Sequence, residues 1–185
     1  MAPKPLPSPE VLRQLLQYEP GTGNLFWLRR EIAQCASSRS WNIWNRRFAG
    51  HRAFTHVAST GYLQGAIFNR LHQAHRVIWA MQTGLWPVLK IDHVNGRKTD
   101  NRWTNLRLVT DGENNLNQKR FANNTSGFTG VGWSQRRGGW TATITLKGKT
   151  KWLGCYDTPE AAHQARKRAE AKLGFHPNHG RTSLD

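Results

Sequence analysis

The sequence predicts an α+β protein in two parts. A mixed N-terminal region ends in a strand–loop–strand–helix unit, and a small three-stranded antiparallel sheet with one helix follows. Three observations predict this. The runs VLKIDHV and NLRLVT are rich in branched apolar residues, flank a polar loop and precede a helix-start signature. The stretch ANNTSG, ending at Gly127, is a linker signal, after which the composition turns to Gly, Thr and Trp. Three strand-like runs then follow at hairpin spacing, closed by a Thr-Pro helix start.

The elements are predicted in order as follows. Residues 1–7 are proline-rich. Ser8 reads as an N-cap with Pro9 at the first helical position, and Val11, Leu12, Leu15 and Leu16 as the buried face. EPGTGN breaks that helix, and LFWLRR follows as a short strand. Residues 35–58 mix Trp with Asn and Arg and carry no assignable period, so they read as loop or docking surface. From Gly61 the pattern gives a strand, a tight turn near Asn69, a second strand, and a helix from about His75 to Gly84 with Val77, Ile78 and Met81 on one side. VLKIDHV is a strand, NGRKTDNRWT a polar loop, and NLRLVT a strand in which Leu106 and Leu108 alternate against Arg107. DGENNLNQKRF starts a helix capped by Thr110 or Asp111. GVGWSQ, GWTATITLK and KTKWLGCYD are strands joined by RRGG and KGK. Thr158 caps a last helix whose buried stripe is Ala162, Ala165, Ala169 and Leu173.

Composition narrows the function. The 185 residues are 37% hydrophobic and include 9 tryptophans, too apolar and aromatic for a disordered chain. Lys and Arg number 27 against 11 acids, a net charge of +16, with +10 in residues 1–125 and +6 in residues 126–185. Such an excess implies a polyanionic partner, because neutralised phosphates release counterions. Cys35 and Cys155 form no CxxC pair, so no zinc finger or ribbon is expected and the cysteines are given no role. No signal peptide and no membrane-spanning run is read, which places the protein in a cytoplasm.

One segment carries chemistry. Phosphodiester hydrolysis needs a base for water and a cation to neutralise phosphate and leaving oxygen. His93 is a base suited to neutral pH, and Asp92 is a hard oxygen ligand for Mg²⁺ or Mn²⁺. Neighbours on a strand point to opposite faces, so both serve one site only if the strand ends there, which Asn95-Gly96 predicts. Asn114, in the first turn of the next helix, brings an amide oxygen to the metal. Asn105, at the start of the second strand, bonds across to His93 or its backbone and fixes the imidazole.

The run DHVNGRKTDNRWTNLRLVTDGENNLN resembles the motif of HNH endonucleases, especially the phage and intron-encoded homing type, whose fold is a ββα-metal finger. The upstream HRVIWAMQTGLWP is similar to what precedes the motif in phage members. The resemblance implies His93 as general base, Asp92 as metal ligand, Asn105 as the asparagine that orients the base, and Asn114 where many members have a last histidine. Asparagine there implies a single Mg²⁺ or Mn²⁺ and no zinc. Asp100, Asn101 and Arg102 match a family run that fixes the loop. Arg97, Lys98 and Arg102 are the loop's DNA-contacting candidates, and His75 is read as structural.

In the second part, Trp140, Ala142, Ile144 and Leu146 share one face by period two and meet the alanine stripe. Thr141, Thr143, Thr145 and Lys147 share the open face. A sheet with one free polar face and basic hairpins fits a groove of duplex DNA, with Arg136, Arg137, Lys147 and Lys149 on phosphates. TGVGWSQRRGGWTATITLKGKTKWLGCYDTPEAAHQARKRAEAKLG resembles an AP2 (plant ERF-like) DNA-binding domain, through GV, W-x-A-x-I and WLG-x-Y-D-T-P-E-A-A. The resemblance implies Trp152 as a DNA-facing aromatic. Gly132, Thr143, Thr145 and Thr150 stand where plant members carry charges, so phosphate and shape contacts are implied rather than base readout.

The expected organisation is an N-terminal region 1–122 with an HNH finger at about 86–122, an AP2-like domain at 126–177, and a tail at 178–185. The expected function is a divalent-metal-dependent endonuclease on double-stranded DNA, phage-encoded or bacterial, acting in the host cell and positioned by the AP2-like domain. The alternatives are a non-catalytic AP2-type DNA-binding regulator and a nuclease of structured RNA. Monomer and dimer both remain open.

Overall fold

The computed structural model describes residues 5–110, 120, 124–177, 179 and 180. The chain divides into two compact units, Met1–Leu108 and Val109–Asp185, and among the described residues it is α+β, with small sheets and four α-helices.

In the first unit, helix α1 (Pro9–Leu15) starts on Ser8, whose hydroxyl accepts from the Val11 N–H at 3.4 Å. It ends a residue earlier than expected, because Leu16 opens strand β1 (Leu16–Glu19), which pairs antiparallel with β2 (Asn24–Trp27). EPGTGN is therefore largely a hairpin turn, not just a helix stop. The four-residue run LQYE, fused to a Leu-Leu pair of helical spacing, was too short to show its own period. Helix α2 (Ser38–Phe48) occupies the stretch without assignable period. Ser37 and Ser40 cap it reciprocally, an N-cap that the Ser-rich sequence hides. Strand β3 (Arg52–Ala53) then adds to β2.

A second sheet follows, in the order β4 (His56–Val57), β5 (Leu63–Ile67), β6 (Arg70–Gln73). Its β5–β6 turn falls on Phe68 and Asn69, at φ of 51° and 60°. Helix α3 (Ala74–Thr83) stops at Gly84, which takes the left-handed conformation at φ 77°. Val77, Ile78 and Met81 are buried, as the helical spacing predicts. They join Leu12, Leu16 and Phe54 in one core, where each fully buried large aliphatic contributes about 1.5–3 kcal/mol. Strands β7 (Lys90–His93) and β8 (Leu106–Val109) form a two-stranded sheet that lays Ile91 and Leu106 on this core. Leu106 is buried but Leu108 is exposed, and Val109 is the second buried residue of β8. The helix expected from Asp111, and Asn114 with it, lie outside the described residues.

In the second unit, β9 (Val131–Ser134), β10 (Gly139–Leu146) and β11 (Lys149–Tyr156) form an antiparallel sheet with β10 central, and helix α4 (Pro159–Lys172) packs on it. Thr158 caps α4 by accepting from the Ala161 N–H at 3.2 Å. The expected alanine stripe is only half right. Ala162 and Ala165 are buried, but the next two turns bury Arg166 and Glu170, while Leu173 is 39% exposed. The chain turns back after Gly174, so Phe175 and His179 cover that end of the helix instead of Leu173. Lys147, expected on the open face of the strand, sits in the hairpin turn at φ 50°.

Candidate active site

Strand β7 ends on Asp92 and His93. His93 is only 3% exposed, and its Nε2 lies 3.0 Å from Asn101 Oδ1. A carbonyl-type oxygen can only accept, so in this orientation of the Asn101 amide the contact is made by an Nε2–H donor. Burial pushes the imidazole's pKa below its ordinary value, against the Asn101 hydrogen bond and the nearby Asp92 and Asp100, which push it up. The ring is therefore a neutral base at physiological pH.

The turn after His93 is held by amides. Val94 N–H donates to the Asn105 carbonyl at 2.9 Å, and Asn95 N–H to Asn105 Oδ1 at 2.9 Å. Asn105 Nδ2 donates to the Asp100 carbonyl at 2.7 Å. Asn95 Nδ2 donates to Asp100 Oδ2, whose carboxylate also takes a forked pair from Arg102 at 2.8 and 2.6 Å. Arg102 holds the Asp100 carboxyl down at about 2. Asn105 was expected to reach His93 or its backbone. Its side chain instead closes the loop, and Asn101, read as merely structural, meets the ring.

The N-terminal hairpin clamps this loop from outside. Tyr18 Oη donates to the Asn101 carbonyl at 2.8 Å, and Trp103 N–H donates to the Pro20 carbonyl at 3.3 Å. Gly23, at φ 78°, lies so close that a Cβ on it would stand 2.4 Å from Arg102 N and 2.5 Å from Asn101 C. Only glycine fits there.

Asp92 Oδ2 accepts from Arg107 Nη2 at 2.8 Å and Nε at 3.1 Å across the β7–β8 pair. Behind His93 lies His75, 4% exposed, with ring centroids 5.3 Å apart. Tyr62 packs against both with its ring tilted, at centroid distances of 4.7 Å from His75 and 5.8 Å from His93. Burial pushes His75 down to about 3, and burial with the Asp92 charge pushes the Tyr62 hydroxyl up. Lys98 lies 4.8 Å over the Tyr62 ring and donates to the Thr60 carbonyl at 2.8 Å, while Arg97 is exposed.

Among the described residues no three His, Cys, Asp or Glu side chains converge as a metal cluster. The donors read from the sequence, Asp92 and Asn114, are hard oxygens, which suit a cation that keeps waters and phosphate oxygens as its other ligands.

In the second unit Arg136, Arg137, Thr145 and Lys149 are exposed, Thr143 is half-buried, and Thr145 shares a 2.8 Å hydroxyl contact with Thr150. The register set by the Lys147-Gly148 hairpin pairs Thr145 with Thr150 and Trp152 with Thr143, and a bulge shifts it only beyond that pair, where Ala142 meets Gly154. Trp152 is 52% exposed with the Arg137 guanidinium 4.9 Å from its ring centroid. Sequence reasoning gave no part to Arg107, Tyr62, Tyr18 or Gly23. The Leu-Arg-Leu alternation already set Arg107 on the polar face of its strand; the others lie far from the motif in sequence and leave no local signal.

The family described as HNH endonuclease matches residues 72–116. Protein 3.8 of Escherichia phage T7 is 36% identical over 85 residues, covering 44% of this chain and 69% of that protein. Among solved structures, that of the HNH homing endonuclease I-HmuI, in a study of DNA binding and cleavage, aligns over 92% of each chain at 21% identity and a TM-score of 0.37. No helix among the described residues is long and apolar enough to cross a membrane.

Proposed function

The chain belongs to the HNH endonuclease family, and from that premise we propose that it hydrolyses phosphodiester bonds of duplex DNA with one Mg²⁺ or Mn²⁺. The observation that carries this is the end of β7, where a carboxylate and a buried, neutral imidazole held by the Asn101 amide leave one strand together. His93 Nδ1 takes the proton of the attacking water. Asn101 orients the ring, and Asn105 holds the turn that ends the strand. Asp92 and Asn114 would hold the cation. When bound, it supplies positive charge for the phosphate and the departing 3′ oxygen. Arg97, Lys98 and Arg102 flank the site as phosphate contacts. The second unit, read as AP2-like, offers duplex DNA its open threonine face with Trp152, Arg136, Arg137 and Lys149, which supports binding by shape and charge.

Supercoiled plasmid with Mg²⁺ or Mn²⁺ tests the reading. Wild type is expected to produce open circle or linear product, and His93→Ala to lose about 10²–10⁴ in rate. Wild type without product under any divalent cation, or a variant that cuts equally well, would sink it. Competition by structured RNA against duplex DNA separates the substrate classes.

A further inference from the structure

We infer that helix α2 is a second DNA-reading element, entering the major groove of duplex DNA away from the cleaved step. This rests on the endonuclease reading above.

The helix has two unlike faces. Trp41, Trp44, Asn45 and Phe48, at helical spacing, fix it to the unit. Trp41 Nε1 donates to the Arg30 carbonyl at 2.7 Å, Asn45 brackets Arg30 by accepting from its N–H at 2.8 Å and donating to its carbonyl at 3.1 Å, and Trp44 packs edge-on against Trp27 at 5.6 Å. The opposite stripe, again at spacing i, i+3, i+4, i+7, is Arg39, Asn42, Ile43 and Arg46, all exposed. The helix carries Arg39, Arg46 and Arg47 and no acid, and none of these arginines has an acidic partner among the described residues. A solvated helix face ordinarily mixes signs and pairs them at i, i+4. Here positive charge is left unanswered, and Ile43 stands 57% exposed in its middle.

That stripe has the chemistry of base edges. A guanidinium pairs with guanine O6 and N7, a carboxamide with adenine N6 and N7, and an aliphatic group with the thymine methyl, while arginine also takes phosphate. The 11 residues span about 16 Å, enough to lie in a groove about 12 Å wide. The link to the finger is continuous. Trp44 rests on Trp27 of β2, β2 pairs with β1, and Tyr18 of β1 donates to the carbonyl of Asn101, whose side chain meets His93. DNA held by α2 is thereby held in a fixed relation to the base.

Two measurements on the full chain test this: binding to a fluorescein-labelled random-sequence duplex without divalent metal across a salt series, and sequencing of cut sites on genomic DNA with Mg²⁺ or Mn²⁺. Arg39→Gln with Arg46→Gln is expected to lower the slope of log K against log salt by about 1–2, since each lost phosphate contact removes roughly 0.9. Asn42→Ala with Ile43→Ala is expected to keep that slope but lose base preference at two or three adjacent pairs away from the cut. These positions are exposed, so an unchanged far-ultraviolet dichroism spectrum is expected. If both variants keep the wild-type slope and cut-site preference while wild type cuts DNA, α2 does not touch DNA and the inference is overturned alone. If RNA displaces wild type better than duplex DNA and the arginine variant loses that, the partner is RNA and the inference also falls. If wild type neither binds nor cuts duplex DNA, both readings fall together.

Discussion

Each unit buries a polar cluster, and the two are made of different materials. Around the finger loop the buried groups are neutral: Asn101, Asn105, His75 and His93, with the ion pair of Asp100 and Arg102 at its outer edge. On α4 they are full charges. Arg166 Nε meets Glu170 Oε1 at 2.8 Å with both side chains 6% exposed, Lys167 bonds the other oxygen at 2.9 Å, and Arg166 also reaches the Thr143 carbonyl and His179. Amides fix a backbone without adding charge, which leaves a neutral base neutral. Buried ions instead join separate segments, here helix, central strand and returning chain, provided every charge stays answered.

The widest break in that contrast is Glu170→Ala. It strands the Arg166 guanidinium and should destabilise the second unit by about 3–5 kcal/mol, whereas Arg166→Met with Glu170→Leu should recover most of the loss. Hydrogen exchange of the β10 amides measures both. A single-variant loss below about 1 kcal/mol would mean that the ions are incidental.

Gly23→Ala attacks the finger cluster from outside. Its Cβ would press the Asn101–Arg102 backbone, costing about 1–3 kcal/mol by overpacking, and the positive φ adds about 1–2 kcal/mol. Plasmid cleavage should fall with first-unit stability while exchange in β10 stays unchanged. Wild-type cleavage by this variant would show that the clamp does not position the loop.

Asn105→Ala is narrower. It orphans the Asn95 N–H and the Asp100 carbonyl, for about 1–3 kcal/mol. Because the turn after His93 loosens, the rate should drop more than stability predicts. A rate loss no greater than that of an equally destabilising core variant such as Ile67→Val would make Asn105 a structural residue only.

The sequence made some of this legible, and physics says why. The strands of the second unit are read to within about a residue because they alternate regularly and end in glycine turns. The ends of α3 and α4 are legible through Gly84, Thr158 and Pro159, residues whose backbone preferences are local. What stayed hidden depends on distant parts of the chain. Nothing near Gly23 announces that it touches Asn101, and nothing in QYE announces a partner for the loop. In the site, Asp92 and His93 stand together at the end of β7 as the Asn95-Gly96 stop implies. The division of labour between Asn101 and Asn105 was not legible: the sequence points to Asn105 for the ring and to Asn101 for the loop, and the structure reverses the two.

The smallest effect probes whether the finger cluster must remain neutral. His75 is packed between Tyr62 and His93, and its Nδ1 is buried without a hydrogen-bond partner. Burial is the main cause of its depressed pKa, with His93 and Arg76 adding to it, and it falls from 6.5 to about 3. The unfolded chain therefore binds the proton first, so stability is full above pH 6.5 and is lost as pH falls from there toward 3. Between pH 7 and pH 6 this one group removes about 0.7 kcal/mol, and the slope steepens to about 1.4 kcal/mol per pH unit further into acid. His75→Phe keeps an aromatic ring against Tyr62 and has no nitrogen to orphan. It should leave the first unit folded at pH 7 and flatten its stability–pH curve by one proton between pH 6.5 and 3, read by chemical denaturation followed through tryptophan fluorescence. An unchanged slope would mean that the ring already reaches solvent and that the neutrality around His93 is set by His93 alone.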